Sequence, residues 1–319
     1  MNLGTPEAPT PGAVRRYLRE FLSDPRVVEL PRALWLPILY FLVLPFRPAK
    51  TAKKYASIWK PDGSPLRIYH ERQAQLLRGY LGERYKAPVP VVAAMRYGKP
   101  SIADGLAELA KRGSTRVVVM PMYPQYAASA TGSVEDALAA AMRRTRTPPE
   151  TRFVHDFHDH RAYAKAIAKN VNDYWFKHGR PDRLLMSFHG IPRKSVDGGD
   201  PYRRQCMESA RLIATELGWN DARTMVTFQS RFGAAEWIQP YTAATLESLG
   251  REGVKRVDVA CPGFATDCLE TLEEIAMEGR ASFLQAGGGE FHYIPTTNDT
   301  PAWMTALTLL AMENLEGWQ

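Results

Sequence analysis

The sequence predicts an α/β fold of two Rossmann-like, doubly wound domains, each with a parallel four-stranded sheet, and with a cleft between them. Three observations predict it. Short apolar runs alternate with amphipathic stretches, the chain reads as two halves of similar design, and 319 residues with 45% hydrophobic content exceed one typical domain. The repeat shows at an offset of roughly 140 residues. Leu106 to Val119 and Leu246 to Val259 each give an amphipathic helix, a glycine placed to end it (Gly113, Gly253) and a β-branched strand, which is one αβ step of a parallel sheet. A second echo, Met95-Arg96-Tyr97-Gly98 and Ser230-Arg231-Phe232-Gly233, places an arginine, an aromatic ring and a glycine just past a strand.

In chain order, the first strongly apolar stretch is Leu34 to Phe46, interrupted by Pro37 and Pro45. It is shorter than the roughly 20 residues that cross a bilayer. Two readings stay open: a buried helix bounded by prolines, or an exposed lip that dips into a membrane interface beside Arg32, Arg47, Lys50, Lys53 and Lys54. Strands are expected at Val91–Ala94, Val117–Met120, Leu184–Ser187, Met225–Phe228 and Val257–Ala260, with helices between them such as Ala162–Lys177 and Tyr202–Leu217. Domain boundaries follow: an N-terminal domain over 1–160 carrying the lip at 34–46, a C-terminal domain over 161–302, and a final helix over 303–319 that packs back on the first domain. Ligands of such sheets lie at the carboxyl ends of the strands. Arg96, Tyr97, Tyr123, His189, Arg231 and the loop before Asp267 all fall there.

Composition narrows the function. The net charge of +7 favours anionic ligands, but the basic residues are scattered and no nucleic-acid signature is present, so nucleic acid is not expected as a partner. The 3 cysteines, Cys206, Cys261 and Cys268, show no CxxC spacing, which fits a reducing compartment. The opening residues show no basic n-region or apolar h-region, so a cytoplasmic protein is expected, peripheral on the inner membrane face if the lip is exposed.

The chemistry concentrates in two segments. Ser187-Phe188-His189-Gly190-Ile191-Pro192 puts a histidine where an apolar run stops, and Asp267, Glu270 and Glu274 recur at i, i+3 and i+7, on one helical face. An imidazole and an acidic stripe in one cleft bind a divalent cation, accept protons, or do both. The bland readings are a hydrogen-bonded histidine at a strand end and a solvated helix face.

Those segments, with Asn2-Leu3-Gly4-Thr5-Pro6, Phe21-Leu22-Ser23-Asp24-Pro25-Arg26-Val27, Gly63-Ser64-Pro65-Leu66, Met95-Arg96-Tyr97-Gly98, Tyr123-Pro124-Gln125-Tyr126, Thr131-Gly132-Ser133, Gly199-Asp200-Pro201-Tyr202 and Thr227-Phe228-Gln229-Ser230-Arg231-Phe232-Gly233, resemble the ferrochelatase family, in order and across nearly the whole chain. The resemblance implies an enzyme, a lyase that inserts Fe(II) into protoporphyrin IX to give protoheme, the terminal step of heme biosynthesis. It assigns catalysis and metal contact to His189 and Glu270, as base or first metal ligand, and a proton or metal path to Asp267 and Glu274. Porphyrin contacts fall to Leu3, Leu18, Phe21, Arg47, Tyr55, Ser64, Arg96, Tyr97 and Tyr123. For three of these a plainer role stays open: Arg47 as an interfacial anchor, Ser64 as a turn residue, and Arg96 as the partner of a nearby carboxylate.

Iron enters as substrate and no cofactor is expected. Some relatives hold a [2Fe–2S] cluster near the C-terminus, and with no cysteine after Cys268 such a cluster is not expected here. Cys268 stands where some relatives carry histidine. His155, His158 and His160 are read as a loop between the domains. In the family an apolar strand leads into Asn-Leu-Gly-Thr-Pro, and Met1 stands at its last position; the expectation is a natural start upstream, or an unstable form with two strands left unpaired. The rivals are a coproporphyrin iron chelatase, a cobalt or nickel chelatase acting on a more acidic tetrapyrrole, and a non-catalytic porphyrin or heme binder.

Overall fold

A computed structural model describes residues 1–219 and 223–318. The chain divides into two units, one of Met1–Tyr123, Ala127–Asp156 and Leu307–Gln319, the other of Pro124–Tyr126 and Phe157–Ala306. The strands are β1 (Asn2–Gly4), β2 (Met95–Tyr97), β3 (Arg116–Val119), β4 (Glu150–Phe153), β5 (Arg183–His189), β6 (Thr224–Gln229), β7 (Arg256–Ala260) and β8 (Glu290–Tyr293).

In the second unit the strand order is β6-β5-β7-β8, with every pair parallel. Central β5 is an almost unbroken apolar run, and Leu184 through Phe188 are buried, as a strand covered on both faces requires. In the first unit β1 pairs with β2, Asn2 opposite Met95 and Gly4 opposite Tyr97, and β3 pairs with β4. Met1 ties the two pairs together: its nitrogen donates to Met120 O at 2.9 Å and its carbonyl accepts from Met122 N at 2.7 Å. The two pairs are separate two-stranded sheets, not the single four-stranded sheet expected; the Met1 bonds alone set them in the order β2-β1-β3-β4, which the second unit shows as one sheet.

Equivalent residues fill both cores. Leu106, Leu109, Val117 and Val119 pack in the first unit as Leu246, Leu249, Val257 and Val259 do in the second. Each such side chain contributes roughly 1.5–3 kcal/mol on full burial. After β3 the chain winds into a π-helix, Ala128–Gly132, that runs on as helix Ser133–Arg144. After β7 it winds into a longer one, Glu270–Gly279, that runs on as Arg280–Gln285. Thr131 and Thr271 fall within these two turns, and both are fully buried.

Several expectations need correction. Val91–Ala94 form no strand; the ladder begins at Met95, because a strand exists only where a partner pairs with it and β1 is short. The echo of arginine, ring and glycine is not structurally equivalent, since Arg96 and Tyr97 lie within β2 whereas Arg231 to Gly233 lie beyond β6. Of the two neighbours of the first strand, β2 pairs with β1, while β3 forms no ladder with β1 and meets the chain start only through the Met1 bonds; Gly4 passes so close to Tyr97 that an added Cβ would stand 1.9 Å from its carbonyl oxygen. His155, His158 and His160 do lie in a loop, between β4 and helix Arg161–His178, and the ring of His160 caps that helix by accepting from Ala162 N at 3.2 Å.

Candidate active site

β5 ends at His189. The next residue has to be glycine, since a Cβ at Gly190 would meet Gln229 O at 2.9 Å and the Trp237 ring at 3.0 Å. His189 Nδ1 lies 2.6 Å from Gly190 O. A carbonyl oxygen only accepts, so in the neutral ring the proton sits on Nδ1 and the lone pair is left at Nε2. That is the tautomer a base or a metal ligand needs.

Gln229 stands beside His189 in the β5–β6 register and is buried. Its Oε1 accepts from Ser187 Oγ at 2.7 Å, and its Nε2 donates to Glu270 O at 2.7 Å and lies 3.4 Å from Glu274 Oε2. One carboxamide therefore links the histidine strand to the acidic helix. A π-helix has about 4.4 residues per turn, so Glu270 and Glu274 project from nearly the same face. Glu274 accepts from Ser230 N at its Oε1 and from Ser230 Oγ at its Oε2, both at 2.6 Å. Burial pushes its carboxyl above the usual range. The Ser230 bonds and His189 pull the other way, Glu270 adds to the rise, and the net shift is upward.

Asp267 is not on that face. It lies in the loop before the helix, buried, and its carboxylate accepts from Tyr293 OH at 2.5 Å, Asn298 Nδ2 at 2.8 Å, Thr296 N at 3.2 Å, and the hydroxyls of Thr296 and Thr271 at 3.3 Å. The i, i+7 spacing fails here because α periodicity does not apply: the helix begins only after Asp267 and is wound as π. Cys268 is buried too, and its thiol is pushed well up, first by burial and then by the charge of Glu270.

In the first unit, Arg96 and Tyr97 meet Asp24. Tyr97 OH donates to Asp24 Oδ2 at 2.8 Å, Ser133 Oγ donates to the same oxygen at 2.5 Å, and Arg96 Nη2 donates to it as well, so Arg96 is paired with a nearby carboxylate. Phe21 packs edge-on to Tyr97, with ring centroids 5.1 Å apart. Leu3 is half-buried and Leu18 is buried. Tyr55 is buried with its ring edge-on to Trp59. Ser64 caps helix Pro65–Tyr85 by accepting from Arg67 N at 3.3 Å. The Tyr123 hydroxyl is buried with no hydrogen-bond partner among the described residues. Arg47 is exposed on helix Leu44–Ile58. Before that helix come Arg32–Ile38 and a π-turn, Leu39–Val43, that makes room for the ring of Pro45. Along this stretch Leu39 and Leu44 are buried, while Leu34 (57%), Phe41 (77%), Leu42 (61%) and Phe46 (74%) are exposed.

The model of one family, the ferrochelatases, matches residues 1–315. The chain belongs to the ferrochelatase family. It is 57% identical over 318 residues to the ferrochelatase of Aromatoleum aromaticum and 55% identical to that of Methylibium petroleiphilum, in each case over 100% of this chain and 87% of the relative. Among solved structures it resembles SirB from Bacillus subtilis with Fe3+, with a TM-score of 0.56 at 15% identity over 80% of this chain and 93% of that one, which shows the shared fold.

Within this ferrochelatase-family chain the structure brings His189, Glu270 and Glu274 together through Gln229, and groups Phe21, Arg96 and Tyr97 around Asp24. It uses Ser64 as a helix cap. Gln229, Ser230 and Asp24 were not singled out in the sequence, although each stands inside a quoted motif. Uncharged or locally paired side chains carry no periodic signal, and only their bonds reveal them. Among the described residues no helix is long and apolar enough to cross a membrane.

Proposed function

We infer that this chain inserts Fe(II) into protoporphyrin IX, forming protoheme and releasing two protons. The observation that carries the reading is the joining of His189, Glu270 and Glu274 by Gln229 in a chain matched to the ferrochelatase family over residues 1–315. Insertion removes two pyrrole N–H protons while the iron sheds its water. His189, with its lone pair on Nε2, is suited to take a pyrrole proton or to meet the metal. Glu270 offers a half-buried carboxylate on the residue whose carbonyl bonds Gln229, the register neighbour of His189. Glu274, whose carboxyl titrates above the usual range, accepts a proton more readily than a free glutamate and passes it on. Asp267 closes the acidic path as a fixed acceptor.

For the macrocycle, Leu3, Leu18, Phe21 and Tyr97 offer apolar and aromatic contacts, and Arg47, exposed on its helix, suits a propionate. Tyr123, Tyr55, Ser64 and Arg96 complete the proposed porphyrin contacts, and the charge of Arg96 is already met by Asp24. No resident cofactor is required, and three thiols are too few for a four-thiolate cluster. We further propose peripheral contact with the cytoplasmic face of a membrane through Leu34, Phe41, Leu42 and Phe46, whose exposure favours the lip over the buried helix.

The test is anaerobic incubation of the purified chain with Fe(II) and protoporphyrin IX, following loss of porphyrin fluorescence over many turnovers. Turnover by the parent that collapses in His189→Ala is expected. Tight porphyrin binding without turnover in a folded parent would overturn the enzymatic reading, and equal or better turnover with coproporphyrin would overturn the choice of substrate.

A further inference from the structure

At the opposite end of the second unit's sheet from His189, three side chains with metal-binding chemistry converge. Helix Arg161–His178 ends at His178, and edge strand β8 carries Glu290 and His292, two apart and so on one face. The His178 and His292 rings have centroids 6.0 Å apart, and His292 Nε2 lies 3.7 Å from the exposed Glu290 carboxylate. Neither nitrogen of His178 has a hydrogen-bond partner among the described residues. Its ring lies against Tyr174, at 4.3 Å between centroids. The Tyr174 hydroxyl lies 3.0 Å from His292 Nδ1. With Nδ1–H donating to that oxygen, the lone pair of His292 is at Nε2, on the side of Glu290.

We propose that His178 and His292, with Glu290 beside them, form a surface site for a first-row divalent cation such as Zn(II), separate from the place where iron is consumed. An imidazole nitrogen sits about 2.0–2.1 Å from such an ion, so two imidazoles on one tetrahedral centre have ring centroids roughly 5 Å apart. The observed 6.0 Å needs about 1 Å of closure, which a rotamer change at exposed His178 supplies. Tyr174 plays the part of the outer partner that orients a ligating histidine. The carbonyls of His178 and Gly179 at the end of this 18-residue helix are already met by the Arg256 guanidinium, so the site rests on the two imidazoles and Glu290 rather than on the helix end. Arg256, which bonds the His178 carbonyl, is paired with buried Asp258 at 2.9 Å. His189 is the last residue of β5 and the helix ends before the first, so the 7 residues of that strand, roughly 20 Å, separate the two places.

The experiment is equilibrium dialysis of the porphyrin-free full chain against ZnCl2, with the parent, His178→Ala/His292→Ala, Tyr174→Phe and His189→Ala compared. The double variant is expected to lose one bound equivalent that the parent and His189→Ala both retain. Tyr174→Phe is expected to hold it about 10-fold or more weakly. An unchanged circular dichroism spectrum and unchanged iron-insertion turnover in the double variant show that the loss is local. A double variant that binds as many ions as the parent at the same affinity overturns the proposal, as does a parent that binds none at this place or an equivalent that disappears only in His189→Ala.

Discussion

Asp24→Asn tests whether the buried carboxylate holds the first unit together around Arg96 and Tyr97. In the parent, Asp24 Oδ2 takes three donors, from Arg96, Tyr97 and Ser133, and Oδ1 takes the Arg26 N–H at 2.8 Å. An asparagine has to aim its NH2 at one of these two sets, and both consist of donors. The substitution also leaves Arg96, whose side chain is 17% exposed, without its counter-charge. Removing one partner of a buried pair costs about 3–5 kcal/mol, and the partial exposure of Arg96 places this case near about 3 kcal/mol. Burial alone would push the Asp24 carboxyl up; the bonds from Ser133, Arg26 N–H and Tyr97 and the charge of Arg96 outweigh it and hold the carboxyl below the usual range. A carboxyl depressed in the folded state adds stability that is fully present above its unfolded pKa, about 3.9, and fades as pH falls through the folded value. The assay is urea denaturation read by pulsed amide exchange in peptides covering 10–28 and 94–100, which reports this unit separately from the other. A difference below about 0.5 kcal/mol at pH 7, or one that does not shrink on acidification, would refute the reasoning.

Glu274→Gln keeps the shape of the Ser230 contact and removes the titration. Because the folded carboxyl is raised, its contribution to stability is fully present below the ordinary glutamate range and is lost as pH rises through the folded value, so the variant should show a flatter pH–stability profile over that window and slower iron insertion; an unchanged profile counts against the assignment. Replacing Phe41 and Phe46 by aspartate should reduce co-sedimentation with anionic vesicles while turnover in detergent persists, and equal sedimentation would remove the lip from the membrane. Ser64→Ala should cost about 1 kcal/mol of stability through the lost cap and also weaken porphyrin binding; an unchanged affinity would remove Ser64 from the proposed porphyrin contacts and leave it the cap alone.

The sequence made the sheet legible wherever strands are central and apolar. β3, β5, β6 and β7 were all expected near their observed places, and helix Tyr202–Leu217 has the bounds that were expected. The edge strands β4 and β8 were not seen, since Glu150-Thr151-Arg152-Phe153 and Glu290-Phe291-His292-Tyr293 carry the charged residues that keep sheet edges soluble, and these mask the apolar pattern. In the site, His189, Glu270 and Glu274 stood out as candidates because ionisable residues at fixed spacing are visible in a sequence, whereas Gln229, which bonds the Glu270 carbonyl and lies 3.4 Å from Glu274, did not. The spacing nevertheless misplaced Asp267, for it assumed an α-helix where the chain winds wider.

That difference in winding has a chemical consequence. In an α-helix, residues four apart are offset by about 40° one way, and in a π-helix of about 4.4 residues per turn they are offset by roughly 33° the other. Glu270 and Glu274 share a face under either winding, but Asp267, outside the helix, does not. The equivalent π-turn of the first unit, Ala128–Gly132, carries no acid at all, so the wide turn belongs to the shared architecture of the two halves and the carboxylates to one of them. In the second unit the Glu270 carbonyl also accepts from Gln229 on β6, whose Oε1 in turn takes Ser187 Oγ on the strand carrying His189. Both halves thus possess the wide turn, and only the sequence of the second puts Glu270 and Glu274 on it.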